Sequence, residues 1–357
     1  MCLATGDLLP LLQSAPRLLG ISSRCGGTAV THTVNAPHTQ LTGTDLLVTV
    51  DAVREVCDGI REVRFAGAHP LPSFTPGSHI GVRWGTGTQN PYSQNSYSMT
   101  GPTTDPDHYA ICVRRDDAGK GGSAWIHALQ VGDEVIITRP RSAFAPISVA
   151  RHHVLIAGGI GVTPILSHVR AAVQWNRSFE VIYSHRPGFG ALVDELGDLC
   201  GDRLTVVHDV AAFWSHLNPV LGDSPLGTHL YTCGPAVLID AVATAATTAG
   251  WPAQRVHSEQ FASAVSAGGK PFAARLGRTG VLVPVGAEVS LLEALLERGV
   301  AVPNLCRQGV CGECKTTVRG GRIDHRDFYL TDDERAEGDA IMPCVSRAAG
   351  DQVELDL

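Results

Sequence analysis

Three consecutive units are predicted: an antiparallel β-barrel, an α/β unit built on a parallel sheet, and a smaller α+β unit. Three observations carry this. From Leu46 to about Pro146, short segments with alternating β-branched residues are punctuated by Gly and Pro. From His153, continuous apolar strands alternate with helix-like segments. Near the end, Cys306, Cys311, Cys314 and Cys344 gather after a short helix pattern.

Residues 1–40 form an N-terminal extension of short apolar runs among Ser, Thr, Gly and Pro. Leu8, Leu9, Leu11 and Leu12 suggest a short surface helix within 8–19. No basic residue precedes them, so a secretion signal is not expected. The barrel unit, 41–147, contains "DLLVTVDAVREV", "IREVRFAG", "GSHIGVRW", "NSYSMT", "HYAICVRR" and "DEVIITRP". The second unit, 148–262, reads strand ("HVLIAGG"), helix ("TPILSHVRAAVQ"), then strands "FEVIYSHR", "RLTVVHDV" and "THLYTCGP". A helix, "AVLIDAVATAATTAG", follows. Residues 263–270 are small and flexible, as in a linker. The third unit, 271–357, opens with strands "FAARLG" and "GVLVPV" and a helix at Ser290–Arg298.

The chain has 357 residues and a formal net charge of −7, which argues against a nucleic-acid binder. It has no run of ~18 apolar residues of the kind that spans a membrane. Hydrophobic and charged fractions of 44% and 18% exclude wholesale disorder. Ten cysteines fit either a disulfide framework or buried thiols with a metal site, and spacing has to separate these.

Cys306, Cys311 and Cys314 are spaced C-x4-C-x2-C, with Cys344 thirty residues on. That is the plant-type spacing for a [2Fe–2S] cluster. Four soft thiolates must converge on two irons, and Gly309 and Gly312 let the backbone approach the sulfides. Zinc is the competing reading, but zinc knuckles usually come as two C-x2-C pairs and only one is present. The other six cysteines are scattered, which disfavours disulfides and suits a reducing cytoplasm.

"AGGIGVTPI" (157–165) joins a strand to a helix. Gly158, Gly159 and Gly161 permit a tight turn and close approach of a pyrophosphate to the helix N-terminus. Thr163 is placed to cap and Pro164 to occupy the first turn. Cys233-Gly234-Pro235 ends a later strand, at the carboxyl edge where α/β sheets bind ligands. Ser184 and Arg186 follow another strand end, with Arg186 suited to a phosphate or ribose.

In "NSYSMT" (95–100), Tyr97 is placed to lie against a flavin ring and Ser98 to hydrogen-bond near its reactive nitrogen. In "RRDDAGKGGSAWIH" (114–127), Gly119, Gly121 and Gly122 followed by Ser123 read as an anion nest opening a helix, with Arg115 and Lys120 adding positive charge. The phosphate of flavin mononucleotide fits there. FMN is preferred to FAD because no adenine-binding segment is visible.

Residues 40–357 resemble the phthalate dioxygenase reductase family, also called the vanillate demethylase reductase type. The matching stretches are Gly119-Lys120-Gly121-Gly122-Ser123, Gly158-Gly159-Ile160-Gly161-Val162-Thr163-Pro164, Cys233-Gly234-Pro235, Glu259-Gln260-Phe261, "CRQGVCGECK", "MPCVSRA" and "DHRDFYLTDDE". The resemblance implies an FMN-binding β-barrel, an NADH-binding α/β domain and a β-grasp plant-type ferredoxin domain, in that order. It implies that Cys233 and Glu259 orient groups near the nicotinamide, with Ser98 beside the flavin, and that Phe261 lies close to the flavin. Where the family has Arg-x-Tyr-Ser, this chain has Asn95-Ser96-Tyr97-Ser98, and Arg115 or Lys120 is expected to supply the missing charge.

The expected activity is that of an oxygenase reductase. A hydride carries two electrons and an iron–sulfur cluster accepts one, so a flavin must stand between them. Electrons would pass from NADH through FMN and the cluster to a Rieske-type non-haem iron oxygenase. The alternatives are a haem-thiolate monooxygenase as client, or a non-catalytic metal-binding module with zinc at the cysteines. The third unit has ten basic and fourteen acidic residues, a mild acidity that suits docking to a basic patch on the oxygenase. A cytoplasmic monomer is expected.

Overall fold

The computed structural model describes residues 45–357, except 69, 85–93, 120, 143, 262–267, 305, 306, 308, 310, 311 and 328. The helix expected within 8–19 lies outside the described residues, as do Lys120, Cys306 and Cys311. The described residues all fall within one unit, Ala36–Leu357.

The first part is antiparallel: β1 (Asp45–Cys57), β2 (Ile60–Gly67), β3 (Ser78–Arg83), β4 (Gln94–Ser98), β5 (Tyr109–Arg114), helix α1 (Gly122–Ala128), β6 (Glu134–Thr138) and β7 (Arg141–Ser142). The strand order is β4-β3-β6-β1-β2-β5, with β7 on β3. Met99 bridges Ile111, and Thr100 N donates to Ala110 O, joining the two ends of that order into a barrel. Alternate residues such as Val48, Val50, Val63, Phe65, Ile80 and Val82 fill its interior, as the period of two requires.

The second part contains β8 (His152–Gly158), α2 (Val162–Gln174), β9 (Phe179–Ser184), α3 (Val193–Cys200), β10 (Leu204–Val207), α4 (Val210–Asp223), β11 (Thr228–Gly234), α5 (Ala236–Thr248) and β12 (Val256–Gln260). All five strands are parallel, in the order β10-β9-β8-β11-β12. Leu155 and Ala157 pack toward α2 and α3, while Val154 and Ile156 pack toward α4 and α5. The helices thus cover both faces, as buried parallel strands demand. Helices α3 and α4 were not expected from the sequence: α3 is short, and α4 carries Pro219 in its interior, normally a breaker.

The third part has β13 (Phe272–Leu276), β14 (Leu282–Val285), α6 (Leu291–Glu297), β15 (Thr316–Gly320), β16 (Ile323–Asp324), α7 (Asp332–Glu337), β17 (Ala340–Ile341), β18 (Arg347–Ala348) and β19 (Gln352–Leu355). The sheet order is β14-β13-β19-β15-β17, with β13 parallel to β19, and α6 grips its apolar face through Leu291, Leu292 and Leu295. Ser290 and Glu293 close a capping box at the start of α6, which fixes its entry. No described helix is long and apolar enough to cross a membrane.

Candidate functional site

The strand order of the parallel sheet reverses between β8 and β11, and the crevice at their carboxyl ends is where such sheets bind ligands. Gly158 and Gly161 end β8 and open α2; Cys233, Gly234 and Pro235 end β11. A Cβ at Gly161 would stand 2.3 Å from the Cys233 carbonyl oxygen, and one at Gly158 2.6 Å from Leu238 and 2.9 Å from Pro235. These two glycines therefore make room for neighbouring protein. Gly159 differs: its φ is +54° and open space surrounds its Cβ position. It is the glycine of this loop that a ligand can approach.

Thr163 is buried, and its hydroxyl donates to the Ile160 carbonyl at 3.1 Å instead of capping α2, whose cap position is Gly161. Pro164 occupies the first turn, as expected. Ser184 ends β9 opposite Gly158, at the same carboxyl edge. Arg186 is exposed just beyond it.

Cys233 on β11 pairs in register with Glu259 on β12. Ser98 Oγ, on the barrel, donates to Glu259 Oε2 at 3.3 Å. The three residues expected to do chemistry, far apart in sequence, thus meet where the barrel and the parallel sheet join. Burial raises the Glu259 carboxyl to about 8, against the opposing pull of the Ser98 hydrogen bond. The residue as a whole is half-buried. Burial, followed by the Glu259 charge, pushes the Cys233 thiol up, so it is no nucleophile at neutral pH. Phe261, just past β12, is half-buried against the core shared by the two units.

On β4, Ser96 and Ser98 share one face, while Asn95 and Tyr97 share the other. Asn95 Oδ1 accepts from Trp84 Nε1 at 3.2 Å, and its Nδ2 lies 3.5 Å from the Tyr97 hydroxyl. A Cβ at Gly122 would meet Asn95 Nδ2 at 2.6 Å and Trp84 Nε1 at 2.7 Å. The glycine turn before α1, with Gly121 at φ +96°, is therefore walled by Asn95 and Trp84. Trp84 was not singled out in the sequence, where only its place at the end of a hairpin strand hinted at it. Burial lifts the Tyr97 hydroxyl to about 12, and its ring packs partly on the barrel core.

Two residues expected to meet a phosphate at this turn are engaged with the turn itself. The Arg115 Nε donates to Asp117 Oδ1 at 2.7 Å, and Ser123 Oγ exchanges hydrogen bonds with the Asp116 backbone. The fit to a flavin rests on other groups. The Ser96 hydroxyl and His79 Nε2, both buried, have no partner among the described residues. Both lie on the Ser98 face of the sheet, which suits a polar ring bearing donors and acceptors.

In the third part, Cys314 and Cys344 are buried with sulfurs 3.3 Å apart, too far for a disulfide and convergent as two ligands of one centre are. Gly309 and Gly312 adopt φ of +75° and +78°. Side chains there would strike Val345 and Tyr329, so the turn exists only with glycine. Asp327, buried, holds this wrap: its carboxylate accepts from Ser346 Oγ and Leu330 N, each at 2.9 Å. A buried soft-donor pair, one sulfur from the glycine-cradled loop and one from the segment after β17, fits an iron–sulfur cluster.

Comparison with known proteins agrees. A 2Fe-2S iron–sulfur cluster binding domain model matches residues 275–349, and a dimethylamine monooxygenase subunit DmmA-like N-terminal domain model matches 135–256. The chain is 41% identical over 315 residues, 87% of its length, to the heme-dependent oxidative N-demethylase beta subunit of Ectopseudomonas mendocina, covering 98% of that protein. It is 37% identical to the phthalate dioxygenase reductase of Burkholderia cepacia, over 81% of this chain and 89% of that one. A solved phthalate dioxygenase reductase structure, described as modular for electron transfer from pyridine nucleotides to [2Fe–2S], superposes with a TM-score of 0.74. It has 34% identity and covers 88% of this chain and 98% of that one. The chain belongs to the phthalate dioxygenase reductase family. As a member of that family it is an oxidoreductase, a reductase subunit of oxygenase systems.

Proposed function

We propose that the chain passes electrons from NADH, through FMN and a [2Fe–2S] cluster, to a separate oxygenase component. The observation that carries this is the meeting of Ser98, Glu259 and Cys233 at the junction of barrel and parallel sheet. Bound flavin supplies the step from paired to single electrons. The chain's own residues do the rest. The loop at Gly159 and the edge formed by Ser184, Arg186, Gly234 and Pro235 hold the dinucleotide. The turn at Gly121 and Gly122, with Asn95 beside it, takes the FMN phosphate. The Ser98 face of β4 together with Phe261 bounds the ring, while Tyr97, on the other face, packs on the barrel core. Glu259, protonated below pH about 8, keeps a hydrogen-bond donor at the nicotinamide without placing a charge there. Cys306, Cys311, Cys314 and Cys344 ligate the cluster.

The protein as purified should contain iron, sulfide and releasable FMN, and NADH should bleach its visible spectrum. A colourless zinc protein overturns the reading. Cys311→Ser should abolish transfer to one-electron protein acceptors yet leave NADH-driven flavin reduction intact.

For the client, a Rieske-type non-haem iron oxygenase is the first reading, in line with a relative named as a dioxygenase reductase. A haem-dependent oxygenase is the second, favoured by the 41% identity to a heme-dependent demethylase subunit. Reconstituted turnover with each class of oxygenase decides between them.

A further inference from the structure

The barrel and the parallel-sheet unit share one apolar core, in which Ile60 and Cys112 pack with Leu155, Val162 and Ile165. The third part is built differently. Among the described residues, its core draws on positions 272–357 alone. A polar contact reaches from it to the barrel: Arg141 Nη1 donates to Glu313 Oε2 at 3.0 Å. Glu313 sits between Gly312 and Cys314, inside the cysteine loop.

The position of Arg141 is informative. In the barrel sheet Arg141 on β7 is opposite His79 on β3, and His79 is opposite Ser98 on β4. Directly opposed residues share a face, so Ser98, His79 and Arg141 form one row across three strands. At about 4.8 Å between strands, the row spans roughly 10 Å. One end touches Glu259 and the other touches the cysteine loop. His79 is held neutral, pushed down to about 4 by burial and by Arg141, so it does not compete for Glu313.

We propose that the Arg141–Glu313 ion pair is the contact that registers the cysteine loop on the barrel, making Arg141 a positioning residue for flavin-to-cluster electron transfer. The two side chains are 43% and 38% exposed. Such a pair is weak and screened by salt, so it fixes a register that can be released. The identity of the two redox groups rests on the function proposed above; the seating of the loop does not.

The test uses the full chain as Arg141→Glu, Glu313→Arg and the double charge swap. Small-angle X-ray scattering reports whether the third part stays seated, and rapid mixing with NADH follows flavin and cluster absorbance separately. Each single variant should scatter as a larger particle and reduce its cluster about fivefold more slowly. Arg141→Glu should keep the native rate of flavin reduction. The double swap should return both readouts to within about twofold of native. At 1 M salt (Debye length about 3 Å), native protein should fall to the single-variant rate. Single variants that scatter and transfer like native protein overturn the proposal, as does a double swap no better than either single. If NADH fails to reduce the flavin of native protein, the electron path is wrong, while the scattering series still decides the seating.

Discussion

Ser98 and Glu259 are 161 positions apart, yet the Ser98 hydroxyl donates to the Glu259 carboxylate at 3.3 Å. This bond ties a barrel strand to the last strand of the parallel sheet, and it places an acid with a raised pKa at the carboxyl edge.

Glu259 gains its proton from burial, at about 8 in the folded chain against an unfolded value of 4.5. Between those values the unfolded chain binds fewer protons, so stability contributed by the neutral form is lost as pH rises from about 4.5 to 8. Glu259→Gln should flatten this part of the profile, read from denaturant midpoints at several pH values. The same substitution should remove the alkaline fall in NADH-driven flavin reduction expected near pH 8. A native fall that persists in the glutamine variant would assign it to another group.

The glycines of the β8–α2 loop should differ in sensitivity. Gly161→Ala drives a methyl to 2.3 Å from the Cys233 carbonyl and must separate two strand ends, at a cost of about 1–3 kcal/mol. Gly159→Ala meets only the left-handed backbone penalty, about 1–2 kcal/mol, with no clash. Thermal unfolding should rank Gly161→Ala as the more damaging. The KM for NADH should rise in both.

Asp327 accepts from Ser346 and Leu330, binding the segment after Cys344 to the turn over the cysteine loop. Asp327→Ala leaves two buried donors unpaired, about 1–3 kcal/mol each. The variant should lose iron and sulfide at least tenfold faster on incubation with a chelator. Flavin content should be unchanged.

Arg347 donates to the carbonyls of Val289, Gly286 and Lys270 while lying over Phe272. A lysine cannot reproduce this fork. Arg347→Lys should destabilise the third part by about 2 kcal/mol, seen as earlier loss of cluster absorbance on heating, with barrel and parallel sheet unaffected.

Much of this was legible in the sequence because it depends on local spacing. The C-x4-C-x2-C run, the glycine loop at 158–161 and the strand-ending Cys233-Gly234-Pro235 each declare themselves within a few residues, since turn geometry and ligand convergence constrain neighbours in the chain. The period of two in the barrel and the continuous apolar strands after it likewise announced two kinds of sheet. Other features depend on partners distant in sequence. That Gly161 accommodates Cys233 instead of a ligand follows from how strands pack side by side, whereas Thr163 at the Ile160 carbonyl and Arg115 at Asp117 are local turn bonds that residue spacing alone does not announce. Trp84 beside Asn95 and Arg141 against Glu313 carry no pattern of their own, and the stretch around Asp327, though it resembles the family's, does not announce the bonds to Ser346 and Leu330. By itself the sequence determined the fold class and marked the groups proposed to hold the redox cofactors. The tertiary structure decided which of those groups face one another, because sheet register and a shared apolar core, not chain neighbourhood, bring Ser98 to Glu259 and align Ser98, His79 and Arg141 in one row.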